Sequence, residues 1–266
     1  MTEIALGWLR QLALFGAILM PLEILLPIRS EQRLLRRGLA TDLAWSAITP
    51  ALVVGVGAAM LAGLAALAQG VMPGALRAAL VAQPWGAQVV EIVLLSELGM
   101  YWAHRASHAH PWLWRLHAVH HSPREMDWLS AHRQHPVEHL WHLGVANLPV
   151  VALGFPTETI LGFIFFQKLH TAWVHANLRL PEGGWERWLA GPRFHRWHHA
   201  RWGGAGNFSS LLPVWDALFG TLRLPSGHPE ALGVEEPVPD GLVGQLLHPL
   251  KPQRISRVEQ DLHAAG

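Results

Sequence analysis

An all-α integral membrane protein is what this sequence predicts, and three observations carry the expectation. Of 266 residues, 51% are hydrophobic and only 15% charged, and the mean hydropathy of +0.21 is high for a soluble chain. Apolar runs long enough for a bilayer lie near the start of the chain. Fourteen Trp residues exceed what a core of this size needs, and the indole suits the headgroup level because one edge is apolar and the other wet. By length the chain is one domain, 1–266. A net charge of +1 offers no electrostatic case for binding nucleic acid. Cys is absent, which excludes disulfides, thiolate nucleophiles and Cys-ligated zinc or iron–sulfur sites and leaves any metal to imidazole, carboxylate or water.

The segments follow in order. Residues 6–26 carry Arg10 and Glu23 near their ends and could span or nearly span a bilayer. They do not read as a signal peptide, since no basic region precedes them and no small-residue cleavage site follows. A turn with Arg29, Arg33, Arg36 and Arg37 comes next. Residues 43–68 form the strongest span, uncharged, with Pro50 expected to kink or start the helix rather than end it. Residues 70–84 read as a short excursion on the far side, holding the lone Arg77. A third, amphipathic segment covers 85–102 and is interrupted by Glu91 and Glu97. Residues 137–166, broken at Gly154-Phe155-Pro156, predict a helical hairpin or a re-entrant pair. Four arginines after the first span against one after the second place the Arg29 to Arg37 turn in the cytoplasm, and counting crossings puts the region after the third segment there too.

That region holds the chemistry. Fifteen of the eighteen histidines fall between His104 and His199, in HRASH (104–108), HAVHH (117–121), HRWHH (195–199) and the stretches between. His104 and His108 share a helix face at a spacing of four; His117, His120 and His121, and again His195, His198 and His199, repeat spacings of three and four. One such pair is an ordinary polar edge, whereas three clusters with the same spacing point to metal. Eight imidazoles oversupply a single zinc about twofold, so two metals fit better. Imidazole suits iron, copper, nickel and zinc alike, and a neutral first shell is of most evident use to iron handling dioxygen. His175 is expected to complete the cage. His170, five residues earlier, lies on a different side of an ideal helix and reads first as an interior or lipid-edge histidine; His135, before Pro136, reads as a cap of the hairpin helix with Glu138 in its first turn. A ligand role stays open for both. His110, His139 and His142 read as structural or interfacial, and His228, His248 and His263 as a solvated tail.

The strings YWAHRASH (101–108), HAVHH with Ser122, RQHPVEH (133–139), HANLRLP (175–181), HRWHH and NFSSLLPVWDALFGT (207–221) together resemble the fatty acid hydroxylase and sterol desaturase superfamily of membrane non-haem di-iron oxidoreductases. The resemblance covers about 90–221 and leaves 222–266 as a motif-free tail. It implies about four transmembrane helices with a cytosolic histidine-rich helical cap, in a bacterial inner membrane. It further implies two iron ions held by His104, His108, His117, His120, His121, His175, His195, His198 and His199, with dioxygen as cosubstrate for hydroxylating or desaturating an unactivated C–H of a membrane lipid. Electrons then come from an external donor, a reductase, cytochrome or ferredoxin, because no flavin or nicotinamide fingerprint and no Cys-ligated centre is present. A basic patch of Arg187, Arg193, Arg196 and Arg201 is a candidate guide for that donor. Glu97 stands where the superfamily often has an acid, and the Ser209-Ser210 pair where many members have glycine, a departure that bears on substrate preference.

Asp216, in an apolar stretch, is expected to pair with a ligating histidine's free N–H or with an arginine such as Arg193 or Arg196, a plain surface charge being the rival reading. Two other functions compete: a membrane metal carrier or haem-binding electron-transfer protein, whose histidines would face each other across the bilayer interior, and a zinc-dependent hydrolase, which would show an acid placed as in HExxH.

Overall fold

The computed structural model describes residues 2–202 and 206–251. They are all-α: α1 (Thr2–Leu25), α2 (Leu39–Gln69), α3 (Gly74–Val81), α4 (Trp85–Ala109), α5 (Pro111–His121), α6 (Pro136–Leu153), α7 (Thr157–His175), α8 (Pro192–His198), α9 (Val214–Leu218) and α10 (Leu242–Leu246), with short 3-10 turns such as Trp128–His132 between them.

The elements follow from local chemistry. Pro50 lies inside α2, which runs through it, while Pro111, Pro136 and Pro192 occupy first-turn positions, where a missing N–H costs nothing. His135 caps α6 by accepting the Val137 N–H at 3.2 Å. Gly154 ends α6 at φ 79°, in the left-handed region, and α7 begins three residues later, so the expected hairpin forms at the expected break. Gly99 lets α4 approach α6 closely: a Cβ there would stand 2.7 Å from the Val145 carbonyl oxygen.

Among the described residues two helices, over Leu6–Leu25 and Leu39–Ala68, are long and apolar enough to cross a membrane; α3 and α4, bent by 114°, make a third if taken as one broken span. Only 17% of the α2 window is buried, and side chains such as Leu52, Val54, Val56 and Leu67 face outward, where lipid is their favourable neighbour. The hairpin of α6 and α7 is not apolar enough to count among them. Four crossings are therefore not evident from length and composition, for a physical reason: these two helices spend part of their surface on buried polar groups such as Glu138, His142, Asn147, His170 and His175.

The arginine turn and the histidine region lie together. Arg36 donates to Asp42 and Asp127, and Arg133 donates to the other oxygen of Asp42, forming a buried two-cation, two-anion network. The Glu23 carboxylate at the end of α1 accepts the backbone N–H groups of Trp128 and Asn177 at 2.9 and 2.8 Å. Around these contacts Phe15, Leu19, Trp128, Leu129 and Leu178 form one core, and Ile92, Val150, Phe155, Ile160 and Leu211 form a second beside the hairpin. The described part of the tail wraps this end of the molecule rather than standing in solvent: Gln245 accepts from the Trp45 indole at 2.6 Å, and His248, expected to be solvated, is buried. His228 is half-buried and His263 lies outside the described residues.

Candidate metal centre

Four helix ends converge to build the site. The C-terminal turns of α4, α5 and α8 carry His104 and His108, His117 to His121, and His195 to His199, and the last turn of α7 adds His175. The nine imidazoles sort into two groups. His104, His108, His117, His121 and His198 place ligand-capable nitrogens within 4.8 Å of one another, and His120, His175, His195 and His199 do the same. All are buried except His108, which is half-buried. The groups abut, since the rings of His121 and His199 stack at 4.1 Å.

Tautomers decide what the groups can hold. A neutral imidazole has one N–H. The Nδ1 atoms of His104, His120, His175 and His198 face the carbonyl oxygens of Phe208, Arg133, Thr171 and Gly206 at 2.7, 3.1, 2.8 and 2.8 Å, and that of His117 faces the Glu138 carboxylate. These acceptors assign the proton to Nδ1 and leave a lone pair on each Nε2. Yet the Nε2 atoms of His104 and His117 stand 3.0 Å apart, and those of His120 and His175 stand 3.3 Å apart. Two lone pairs at that distance repel unless a cation lies between them, and nitrogens bound at about 2.1 Å and right angles to one ion are separated by about 3 Å. Burial, helped by neighbouring imidazoles, pushes His120 down to about 4 and holds His117, His121, His195, His198 and His199 well below their usual range. They are therefore neutral, the form that binds metal. The donor set fits two all-imidazole metal sites.

The sequence matches the fatty acid hydroxylase family over residues 89–221, half of the chain and all nine of these histidines. The chain belongs to the fatty acid hydroxylase family. Among curated relatives it is 31% identical to the ornithine lipid hydroxylase OlsE of Rhizobium tropici, over 62% of this chain and 51% of that protein. It is 31% identical to an alkylglycerol monooxygenase of Danio rerio over 61% of this chain and 34% of the other. A putative methylsterol monooxygenase of Dictyostelium discoideum is 30% identical over 48% and 47%. The chain thus spans between about a third and about half of the length of these relatives. No solved structure matches.

In this fatty acid hydroxylase family member, several supporting contacts differ from the sequence expectation. Asp216 meets neither a histidine nor an arginine: it accepts the N–H groups of Phe208 and Ser209 at 2.7 and 2.8 Å and the Thr221 hydroxyl at 2.6 Å. Glu97 accepts from Leu211 at 2.6 Å and Leu212 at 3.3 Å, and from Gln167 at 2.9 Å. The two acids hold the 208–212 loop by its backbone, and that loop presents the Phe208 carbonyl to His104. Asn207 turns the chain before it at φ 58°. Of the four arginines of the expected basic patch, Arg187 is exposed and Arg201 half-buried, while the other two face inward. Arg193 is buried against Glu186 and Glu182, and Arg196 is buried with its guanidinium on the Met126 carbonyl at 2.9 Å.

His170 lies outside both groups, with Nε2 on the Ala190 carbonyl at 3.2 Å, and His135 bonds the Leu246 carbonyl at 3.3 Å. His142 contacts Ser107 and Gln134, His139 donates to Gln134, and His110 caps α5. Glu138, noted from sequence only for its place in a first helical turn, is the partner of His117. No sequence signal marked that role, because the two residues meet only when α5 packs on α6. Beneath the histidines a cavity of about 180 Å³ opens between α1, α2, α4, α6 and α7, reaching His104 and His117 of one group and His120, His175 and His195 of the other.

Proposed function

We propose that the protein is a dioxygen-dependent di-iron oxidoreductase that hydroxylates, or desaturates, an unactivated C–H of a membrane lipid such as a fatty acyl, sphingoid or sterol compound. The observation that carries this is the pair of abutting imidazole groups whose lone pairs face one another. In the proposal His104, His108, His117, His121 and His198 hold one iron and His120, His175, His195 and His199 the other. Bound iron would supply dioxygen activation and the one-electron chemistry that no side chain of this set provides.

The protein's own residues do the rest. Phe208, Arg133, Thr171 and Gly206 carbonyls and the Glu138 carboxylate fix the tautomer and ring orientation of five histidines. The buried shell keeps bulk water from the reacting carbon, and the cavity presents that carbon to both groups. The fatty acid hydroxylase match and the hydroxylase and monooxygenase names of the relatives support the same chemistry. The proposal also has α4 returning across the membrane after α1 and α2, the α6–α7 hairpin embedded beside them, histidines on the cytoplasmic side, and an external protein as electron donor.

Metal analysis and turnover in labelled dioxygen test it. Protein purified in detergent from iron-replete cells should hold two irons per chain and transfer label to lipid. One zinc or less per chain, with no gain on adding ferrous iron, would overturn it.

A further inference from the structure

We infer that Lys168 is an anion-recognising residue of the cavity and that the substrate is an amphiphile carrying a carboxylate or phosphate. This rests on the lipid oxidation proposed above and names the polar end of that lipid. Lys168, Thr171 and His175 follow one another at spacings of three and four along one face of α7, and all three line the cavity. The lysine backbone is thus about 10 Å along the helix axis from His175.

The charge of the cavity is one-sided. Its wall contains Lys168 and several imidazoles, and no Asp or Glu. Among the described residues no carboxylate acts on the ammonium; the titratable groups facing it are His132 and His139. Two buried acids of the helices packed around it are engaged elsewhere, Glu97 with the 208–212 loop and Gln167, Glu138 with His117. Lys168 is half-buried, and an ammonium partly withdrawn from water without a counter-ion carries a desolvation cost; iron in the neighbouring groups would add positive charge that their neutral imidazoles do not cancel. An incoming anion offsets both. Ser209, also in the wall, has a buried hydroxyl without a hydrogen-bond partner, a donor that an incoming anion can use. A plain hydrocarbon would meet neither group, and an uncharged sterol would leave the ammonium without a counter-ion.

Equilibrium binding to the full-length, iron-loaded protein in phosphatidylcholine nanodiscs tests the assignment, with N-lauroylglycine, dodecyl phosphate and N-lauroylglycine methyl ester as probes. One or both anions should bind at least about tenfold more tightly than the ester, as expected for a charge-assisted contact. Lys168→Met should erase that preference at unchanged iron content and Lys168→Arg should keep it, with Lys168→Gln replacing the Met variant if the latter does not retain iron. Equal binding of acid and ester by the unaltered protein, or a preference that survives loss of the lysine, would overturn the assignment. Displacement of the probes by millimolar inorganic phosphate would overturn its lipid part. Iron content of the same samples separates the outcomes: protein without iron argues against the di-iron centre, whereas iron-replete protein with no anion preference argues against Lys168 alone.

Discussion

His120 and His121 are neighbours in sequence and belong to different groups, because successive residues on a helix point about 100° apart and α5 lies between the two sites. Substitution should therefore damage one site at a time. His120→Ala and His198→Ala are each expected to abolish turnover and lower bound iron, whereas His228→Ala, away from both groups, should leave both near the unaltered level; iron stoichiometry and product formation on the same preparations check this. Asp216 belongs to a subtler class. Its two oxygens serve three donors, and Asp216→Asn would turn an NH2 toward at least one N–H that now has an acceptor. The Phe208 carbonyl should shift and His104 lose its orientation, lowering activity roughly 10- to 100-fold with iron partly retained. Full activity in Asp216→Asn would show that the loop is held by other contacts.

At the scale of elements, the arginine turn is fastened to the histidine region by charge rather than by an extended apolar contact. Arg36 has no exposed side-chain surface and serves both Asp42 and Asp127. Arg36→Met leaves Asp127 without its cation in a buried setting, a loss of about 3–5 kcal/mol for a buried pair broken on one side. Thermal unfolding in detergent should show a lower Tm, and Arg36→Met with Asp127→Asn should recover part of it, since the stranded charge is then gone. A single variant as heat-stable as the parent would place the fastening elsewhere. Separate buried contacts hold the short α8, Pro192–His198: Arg193 donates to Glu186 and Arg196 to the Met126 carbonyl.

For the molecule as a whole, sidedness follows from the contact between the arginine turn and the histidines. Arg36 bonds Asp127, and Arg29 donates to the Glu230 carbonyl at 2.7 Å, so these regions cannot lie across a bilayer from each other. Reporter fusions after Arg37 and after Thr221 should both give a cytoplasmic signal, and a fusion at Gly74 the opposite one. Opposite signals for Arg37 and Thr221, or a periplasmic signal after Thr221, would end the proposed topology.

Sequence by itself determined what depends on neighbours along the chain. Helical spacing placed the histidines of each cluster on common faces, hydropathy located α1, α2 and the third segment, and Gly154-Phe155-Pro156 marked the hairpin turn, because periodicity and backbone freedom are local properties. Tertiary structure alone decided how the clusters divide into five and four, since that division depends on where the ends of α4, α5, α7 and α8 meet. It also decided that Asp216 grips a loop instead of a histidine, that Arg193 and Arg196 face inward, that Glu138 holds His117, and that Lys168 lines the cavity without a carboxylate. Each of those is a contact between residues far apart in the chain, and the partner of a buried charge is chosen by packing, which no spacing in the sequence records.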